Sequence, residues 1–149
     1  MRGPFRRRGD SIEVRLSTEE RRLIEMVPGI LDSVDMGSTD PEAVRLRYEP
    51  HPGDPDAAET YRDLIGSDLE DSRRRDRHTL TASLDEGSLD PEQAEAWMRA
   101  IGEARLVLAA RLGITEDGWE ETIDVATDPE AGVLTFFAYI QDALVGALH

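Results

Sequence analysis

Asp90-Pro91-Glu92-Gln93-Ala94-Glu95-Ala96-Trp97-Met98-Arg99-Ala100-Ile101-Gly102-Glu103-Ala104-Arg105-Leu106-Val107-Leu108-Ala109-Ala110-Arg111-Leu112-Gly113 decides the fold. Trp97, Ile101, Ala104, Leu108 and Leu112 fall on one helical stripe, with Met98 and Val107 beside it. Asp90 can accept hydrogen bonds from the free N–H groups of a first turn. Pro91 loses no hydrogen bond at the first helical position, and Gly113 suits a stop. A helix over Pro91–Leu112 follows.

The same start recurs at Asp40-Pro41, Asp54-Pro55 and Asp128-Pro129, each followed by an acidic residue and a helix former. Acids in a first turn also favour the helix dipole. The start at Pro41 is weak, and Val44, Leu46 and Tyr48 alternate, so a short strand stays open there. From Pro55 a helix carries Tyr61, Leu64, Ile65 and Leu69, then Leu80 and Leu84, with Gly87 as its stop. Its middle, Glu70 to His78, holds no apolar residue and reads as a solvated face or a mobile join. A short acidic helix after Thr115 would use Trp119 and Ile123. The last helix, Pro129 to about Leu148, is apolar except for a stripe of Thr135, Asp142 and His149. Such a helix is buried centrally or against a partner.

Ahead of these helices the pattern changes period. Phe5-Arg6-Arg7-Arg8 leads through Gly9-Asp10 to Ile12, Val14 and Leu16, alternating with Ser11, Glu13 and Arg15. Period-two alternation around a Gly turn is a hairpin signal. Ser17-Thr18-Glu19-Glu20 is a capping box, opening a helix to about Val34 over Leu23, Ile24, Met26, Val27, Ile30, Leu31 and Val34. Pro28 should kink or split it. The fold class is therefore mainly α, a multi-helix bundle with a short N-terminal β-hairpin. We read residues 1–149 as one domain, a basic hairpin arm over 1–17 and an acidic helical body over 18–149.

The chain has 149 residues and a formal net charge of −15, and all 17 of its basic residues are arginine. Residues 1–22 hold seven Arg and four acids, a net of +3; the rest hold ten Arg and 28 acids, a net of −18. So acidic a chain does not coat nucleic acid nonspecifically. No lysine means no phosphate-loop lysine and no Schiff base. No cysteine means no disulfide, thiolate nucleophile or Cys-ligated zinc. No basic start followed by an apolar run resembles a secretory signal, and Gln141-Asp142 interrupts the most apolar stretch, so we expect a cytoplasmic protein with no membrane partner.

No catalytic motif is present: no G-x-G-x-x-G, H-E-x-x-H or G-x-S-x-G. His51, His78 and His149 are scattered in polar or terminal contexts. Glu116-Asp117-Gly118-Trp119-Glu120-Glu121 lacks the acid spacing of a Ca²⁺ loop and reads as a solvated helix start. We expect no enzyme activity, no metal and no cofactor. Arg105, beside the buried stripe, should pack its stem and pair its head with an acid. Two basic clusters are candidate contacts for nucleic acid or a partner: Arg6, Arg7 and Arg8, which also suit a charged edge strand, and Arg73-Arg74-Arg75 with Arg77, which also suit a solvated helix face. On the last helix, Phe136, Phe137, Ile140 and Leu144 are candidates for a dimer or partner face, leaving monomer and homodimer open.

Several segments in order carry a resemblance. They are Phe5-Arg6-Arg7-Arg8-Gly9, Asp40-Pro41 with Arg45-Leu46, and Asp54-Pro55 with Tyr61-Arg62-Asp63-Leu64 and Asp68-Leu69. Next come Trp97-Met98-Arg99-Ala100-Ile101 leading to Arg111-Leu112-Gly113, and Phe136-Phe137-Ala138-Tyr139-Ile140-Gln141-Asp142-Ala143-Leu144-Val145. Together they resemble the actinobacterial AosR-like oxidative-stress regulators, over nearly the whole chain. The resemblance implies a cytoplasmic, helical, non-enzymatic regulator of transcription acting through a sigma factor or RNA polymerase. The thiol sensing described in that family uses a cysteine pair, which this chain lacks, so that route does not carry over. A direct DNA-binding dimer using Arg6, Arg7 and Arg8, or a helical interaction domain of other purpose, are the alternatives.

Overall fold

The computed structural model describes residues 3–36, 38–46, 55–113 and 129–149, with backbone alone for 45 and 55–68. In chain order it holds β1 (Phe5–Arg8), β2 (Ser11–Val14), α1 (Thr18–Asp32), α2 (Pro41–Leu46), α3 (Pro55–Ser83), β3 (Ser88–Leu89), α4 (Pro91–Arg111) and α5 (Pro129–Leu148). The expected class holds: five helices among the described residues, and a small antiparallel sheet led by an N-terminal hairpin.

The hairpin turns at Gly9, whose φ of 61° few L-residues adopt; Asp10 needs no positive φ. That is the demand of a two-residue turn with Gly first. Register follows: Phe5 faces Val14, Arg6 faces Glu13, Arg7 faces Ile12 and Arg8 faces Ser11. The sheet has a third strand that the sequence pattern did not reveal. Ile12 faces Leu89 and Glu13 faces Ser88, and the Val14 N–H donates to the Gly87 carbonyl at 2.9 Å. Gly87 is thus not the stop of α3, which ends at Ser83; it leads into β3.

Each of the four prolines that follow an aspartate in the sequence is the first residue of a helix, α2, α3, α4 and α5 in turn. At α4 both halves of a capping box form: the Asp90 carboxylate accepts from the Gln93 N–H at 2.8 Å, and the Gln93 amide oxygen accepts from the Asp90 N–H at 2.9 Å. Ser17 and Glu20 do the same for α1. The segment after Asp40 is helix through Leu46, so the strand alternative falls there; Tyr48 lies outside the described residues. The acidic helix at Trp119 and Ile123, the Glu116–Glu121 segment and His51 lie outside them too.

At two places where the sequence allowed a break, the helices are continuous. Pro28 does not split α1, which runs unbroken from Thr18 to Asp32 and closes on Ser33. Its ring removes one N–H bond, and the face formed by Ile24, Val27 and Leu31, all buried, holds the helix against the core. Met26 stands off that face and is exposed. Second, α3 is one helix from Pro55 to Ser83, with no join at Glu70–His78.

The centre of the fold is α4. Helices α1, α2, α3 and α5 and strands β2 and β3 pack on it, while β1 lies on α5. Its stripe is the core: Trp97, Ile101, Ala104, Val107 and Leu108 are buried, and Leu112 packs at the margin. One contiguous cluster joins Phe5 and Ile12 of the sheet, Ile24 and Leu31 of α1, Leu80 and Leu84 of the α3 end, and Phe137 and Leu144 of α5. Phe5 meets the Trp97 ring edge to face, centroids 6.3 Å apart at 87°, a favoured quadrupole geometry. The indole N–H of Trp97 donates to the Ser83 hydroxyl at 2.8 Å, and that hydroxyl donates to the Thr79 carbonyl at 2.6 Å. The one polar atom of the largest core side chain is thereby satisfied.

Candidate functional site

The two arginine clusters have opposite fates. In the α3 run Arg73, Asp76 and Arg77 turn toward neighbouring helices, while Arg74 and Arg75 stay exposed. Asp76 is only 6% exposed, held by Arg99 of α4 through two parallel bonds, Nε to Oδ2 and Nη2 to Oδ1, both 2.9 Å. Arg73 donates to the Leu46 carbonyl of α2 at 2.5 Å and stands 3.7 Å from Glu103 of α4. Arg77 pairs with Asp32 of α1 at 2.7 Å. Arg74 pairs within its own helix, with Glu70 and Asp71. The stretch of α3 without apolar residues is therefore a mid-helix segment and not a join, exposed at Glu70, Asp71, Arg74, Arg75 and His78. Its other side is a polar contact tying α3 to α1, α2 and α4, in which Arg73 and Arg77 are engaged within the chain.

Glu103 sits in that contact with Oε2 buried and without a hydrogen-bond partner among the described residues. Burial raises its pKa, opposed by Arg73 and Arg77. The bonds to Asp76 raise the pKa of Arg99, against its own desolvation. Arg111, at the other end of α4, donates to the Ser33 hydroxyl at 2.7 Å and to Glu42 at 3.4 Å, joining α1 and α2.

The first cluster faces out. Antiparallel alternation puts Arg6, Arg8, Ser11 and Glu13 on the outer face of the sheet, and Phe5, Arg7, Ile12 and Val14 on the inner. Arg8 meets Glu13 at 2.7 Å and Arg15 meets it at 2.5 Å, while Arg6 stands opposite. Glu13 has its pKa lowered, first by the bond from Arg15 and then by the nearby positive charges. Three arginines surround one carboxylate, and Arg6 has no bond among the described residues. Arg7 reaches from the inner face to the Leu148 carbonyl at 3.0 Å. It supplies the positive charge that α5 lacks in its own last turn.

The α5 candidates do not form an open face. Phe137, Ile140 and Leu144 are 0% exposed, packed into the chain's own core, and Phe136 is half-buried against it. The outer side of α5 includes Thr135, Tyr139, Asp142 and Val145, with His149 exposed just past its end. By length and mean hydropathy, 1.5 over its most apolar window, this helix passes the test for a membrane span, although its buried face is a core face. Gln141 interrupts it for a structural reason. Its amide donates to the Met98 carbonyl at 3.1 Å and accepts from Arg105. Arg105 thus pairs with an amide, not with an acid. A Cβ on Gly102 would lie 2.5 Å from Gln141 Nε2, so the absence of a side chain there lets the amide seat.

Two grooves remain. One of about 570 Å³ runs between α4 and α5 beside Arg105, Leu106, Leu134 and Gln141. The other, about 550 Å³, lies between α3 and α4 and is lined by Glu86, Asp90, Glu92 and Glu95 with His78. No group of three or more His, Asp or Glu among the described residues is placed to hold a metal ion.

The fold defines an acidic helical domain, built around one central helix and capped by a small basic sheet. The chain matches the family described as domain of unknown function DUF2017 over residues 1–148, and it belongs to that family. No curated protein and no solved structure matches it.

Proposed function

We propose that this protein is a non-enzymatic, cytoplasmic regulator of transcription that acts by protein–protein contact with a sigma factor or RNA polymerase in the oxidative-stress response. The observation that carries the reading is the segregation of exposed charge: Arg6 and Arg8 face solvent on the small sheet, on a chain whose remainder has a net charge of −18. Complementary charge of both signs orients and speeds a protein encounter. The ordered motifs that resemble AosR-like regulators supply the partner class. With no cysteine in the chain, it acts downstream of, or beside, the oxidant signal and not as a thiol sensor.

Direct DNA contact through Arg6, Arg7 and Arg8 is the second reading, favoured by the exposure of all three. A body this acidic repels a duplex, and the α5 face that a dimer would share is filled within one chain.

Capture of RNA polymerase or a sigma factor from native lysate on the immobilised full chain, identified by mass spectrometry, tests the first reading. Recovery of neither at low salt overturns it. A low-salt mobility shift lost on replacing Arg6, Arg7 and Arg8 by Ala would favour the second.

A further inference from the structure

We propose that β1 is an open strand edge, and that it takes an acid-rich extended segment of a protein partner as an added antiparallel strand. This rests on the regulatory reading above only for there being a protein partner.

The edge follows from the register. Sheet order is β1-β2-β3, so β1 has one side paired. In an antiparallel ladder, bonded and non-bonded pairs alternate. The Arg15 N–H donates to the Pro4 carbonyl at 2.7 Å, which makes that pair a bonded one. Arg6 with Glu13 and Arg8 with Ser11 are then the next bonded pairs. Phe5 and Arg7 are left with N–H and C=O groups directed away from β2, and these groups have no partner among the described residues. Besides β2, the described elements that meet β1 include α5 and α4, and both meet the inner face, through Arg7 with Leu148 and through Phe5 with Trp97.

Charge selects what can add. A strand paired to this edge would set its alternate side chains beside Arg6 and Arg8 on the outer face, at cross-strand contact distance. Those positions want carboxylates: the outer face carries Arg6, Arg8 and Arg15 against Glu13. A second copy of β1 would place arginine beside arginine, which disfavours self-pairing. Main-chain bonds would supply affinity and the alternate acids specificity, as in other strand additions.

The test uses the full chain and a short synthetic peptide of alternating Glu and Thr, followed by amide NMR. We expect the Phe5 and Arg7 amides to shift and to exchange more slowly with solvent. A Lys–Thr peptide of equal length should leave them unmoved. Arg7→Pro removes an outward N–H and no ladder bond, so the sheet should survive while peptide affinity falls about tenfold or more relative to Arg7→Ala. The Ala variant matches it in lost charge and in the lost Leu148 bond. Arg6→Ala with Arg8→Ala, which leaves the backbone intact, should weaken binding and flatten its salt dependence. Equal affinity of the Pro and Ala variants overturns the proposal, as do shifts confined to the helices or tighter binding of a DNA oligonucleotide than of the acidic peptide at the same amides. If Arg7→Pro still captures polymerase, the edge is wrong and the regulatory reading stands. If the peptide binds and neither polymerase nor a sigma factor is captured, the regulatory reading is wrong and the edge stands.

Discussion

Asp76 and Arg99 join α3 to α4 through a two-pronged contact, both bonds 2.9 Å, with the carboxylate almost fully buried and the guanidinium half in solvent. The asymmetry sets what each partner costs to lose. Removing Arg99 leaves a buried carboxylate unpaired; removing Asp76 leaves a cation that water can still reach. We expect Arg99→Ala to destabilise by about 2–3 kcal/mol, at or below the range for breaking a buried pair because Arg99 is half exposed. Asp76→Leu with Arg99→Met should cost less than Arg99→Ala alone. Urea denaturation of the three variants checks the order, and a double replacement that costs more than Arg99→Ala would refute it.

Ser83 is the partner of the core tryptophan. Ser83→Ala strands the indole N–H in an apolar surround and should cost about 1–3 kcal/mol, the penalty for an unmet buried donor. The same replacement at exposed Ser88 serves as the control, with an expected change within about 0.5 kcal/mol. Thermal or denaturant unfolding reads both; equal effects would mean that the Trp97 bond contributes nothing.

Gly102 and Gln141 are coupled. Gly102→Ala gains about 1 kcal/mol of helix propensity but displaces the Gln141 amide from Met98 and Arg105. The lost bonds are worth about 1–2 kcal/mol together, so the single variant should be neutral to destabilising. Placed on Gln141→Ala, the same change should become stabilising. A double-mutant cycle by urea unfolding measures the reversal, and additivity would show that the close approach carries no weight.

Glu103 makes a pH prediction of unusual sign for a carboxylate. Its pKa is raised in the folded protein, so the folded state holds that proton more tightly than the unfolded chain does. Its contribution to stability therefore falls as pH rises from the ordinary glutamate range through the raised value, and it is regained as pH drops. Glu103→Gln should flatten this part of the profile and leave stability at neutral pH equal to or above the parent. Subtracting the two stability–pH curves isolates the effect; a difference that is constant, or that grows the other way, would contradict it.

Much of the secondary structure was legible because it is written in short-range chemistry. An Asp cap, a proline at the first helical position and an acidic first turn act within one helical turn, so all four Asp-Pro starts could be read from neighbours alone. Gly9 announced its turn in the same way. The third strand was not legible: two residues, Ser88 and Leu89, carry no period, and they are strand only because β2 lies alongside.

The candidate sites divide along the same line. Arg6, Arg7 and Arg8 were found from a charge run, and the register then separated them, setting Arg7 on the face that meets Leu148 and Arg6 and Arg8 on the other, with all three exposed. Arg73 and Arg77 looked equally free in the sequence, yet their partners Leu46, Glu103 and Asp32 lie 27 or more residues away. The α5 face of Phe137, Ile140 and Leu144 was legible as apolar, but not as covered by its own chain.

By itself, the sequence determined the helix starts at Thr18, Pro55, Pro91 and Pro129, the hairpin, the stripe of α4 and the segregation of a +3 arm from a −18 body. These depend on local backbone chemistry and on side-chain period. Only the tertiary structure decided which charges face water, which apolar face is filled and which strand edge is open. Those outcomes depend on contacts between residues far apart in the chain, where burial makes an unpaired charge or polar group costly and so forces a partner on it.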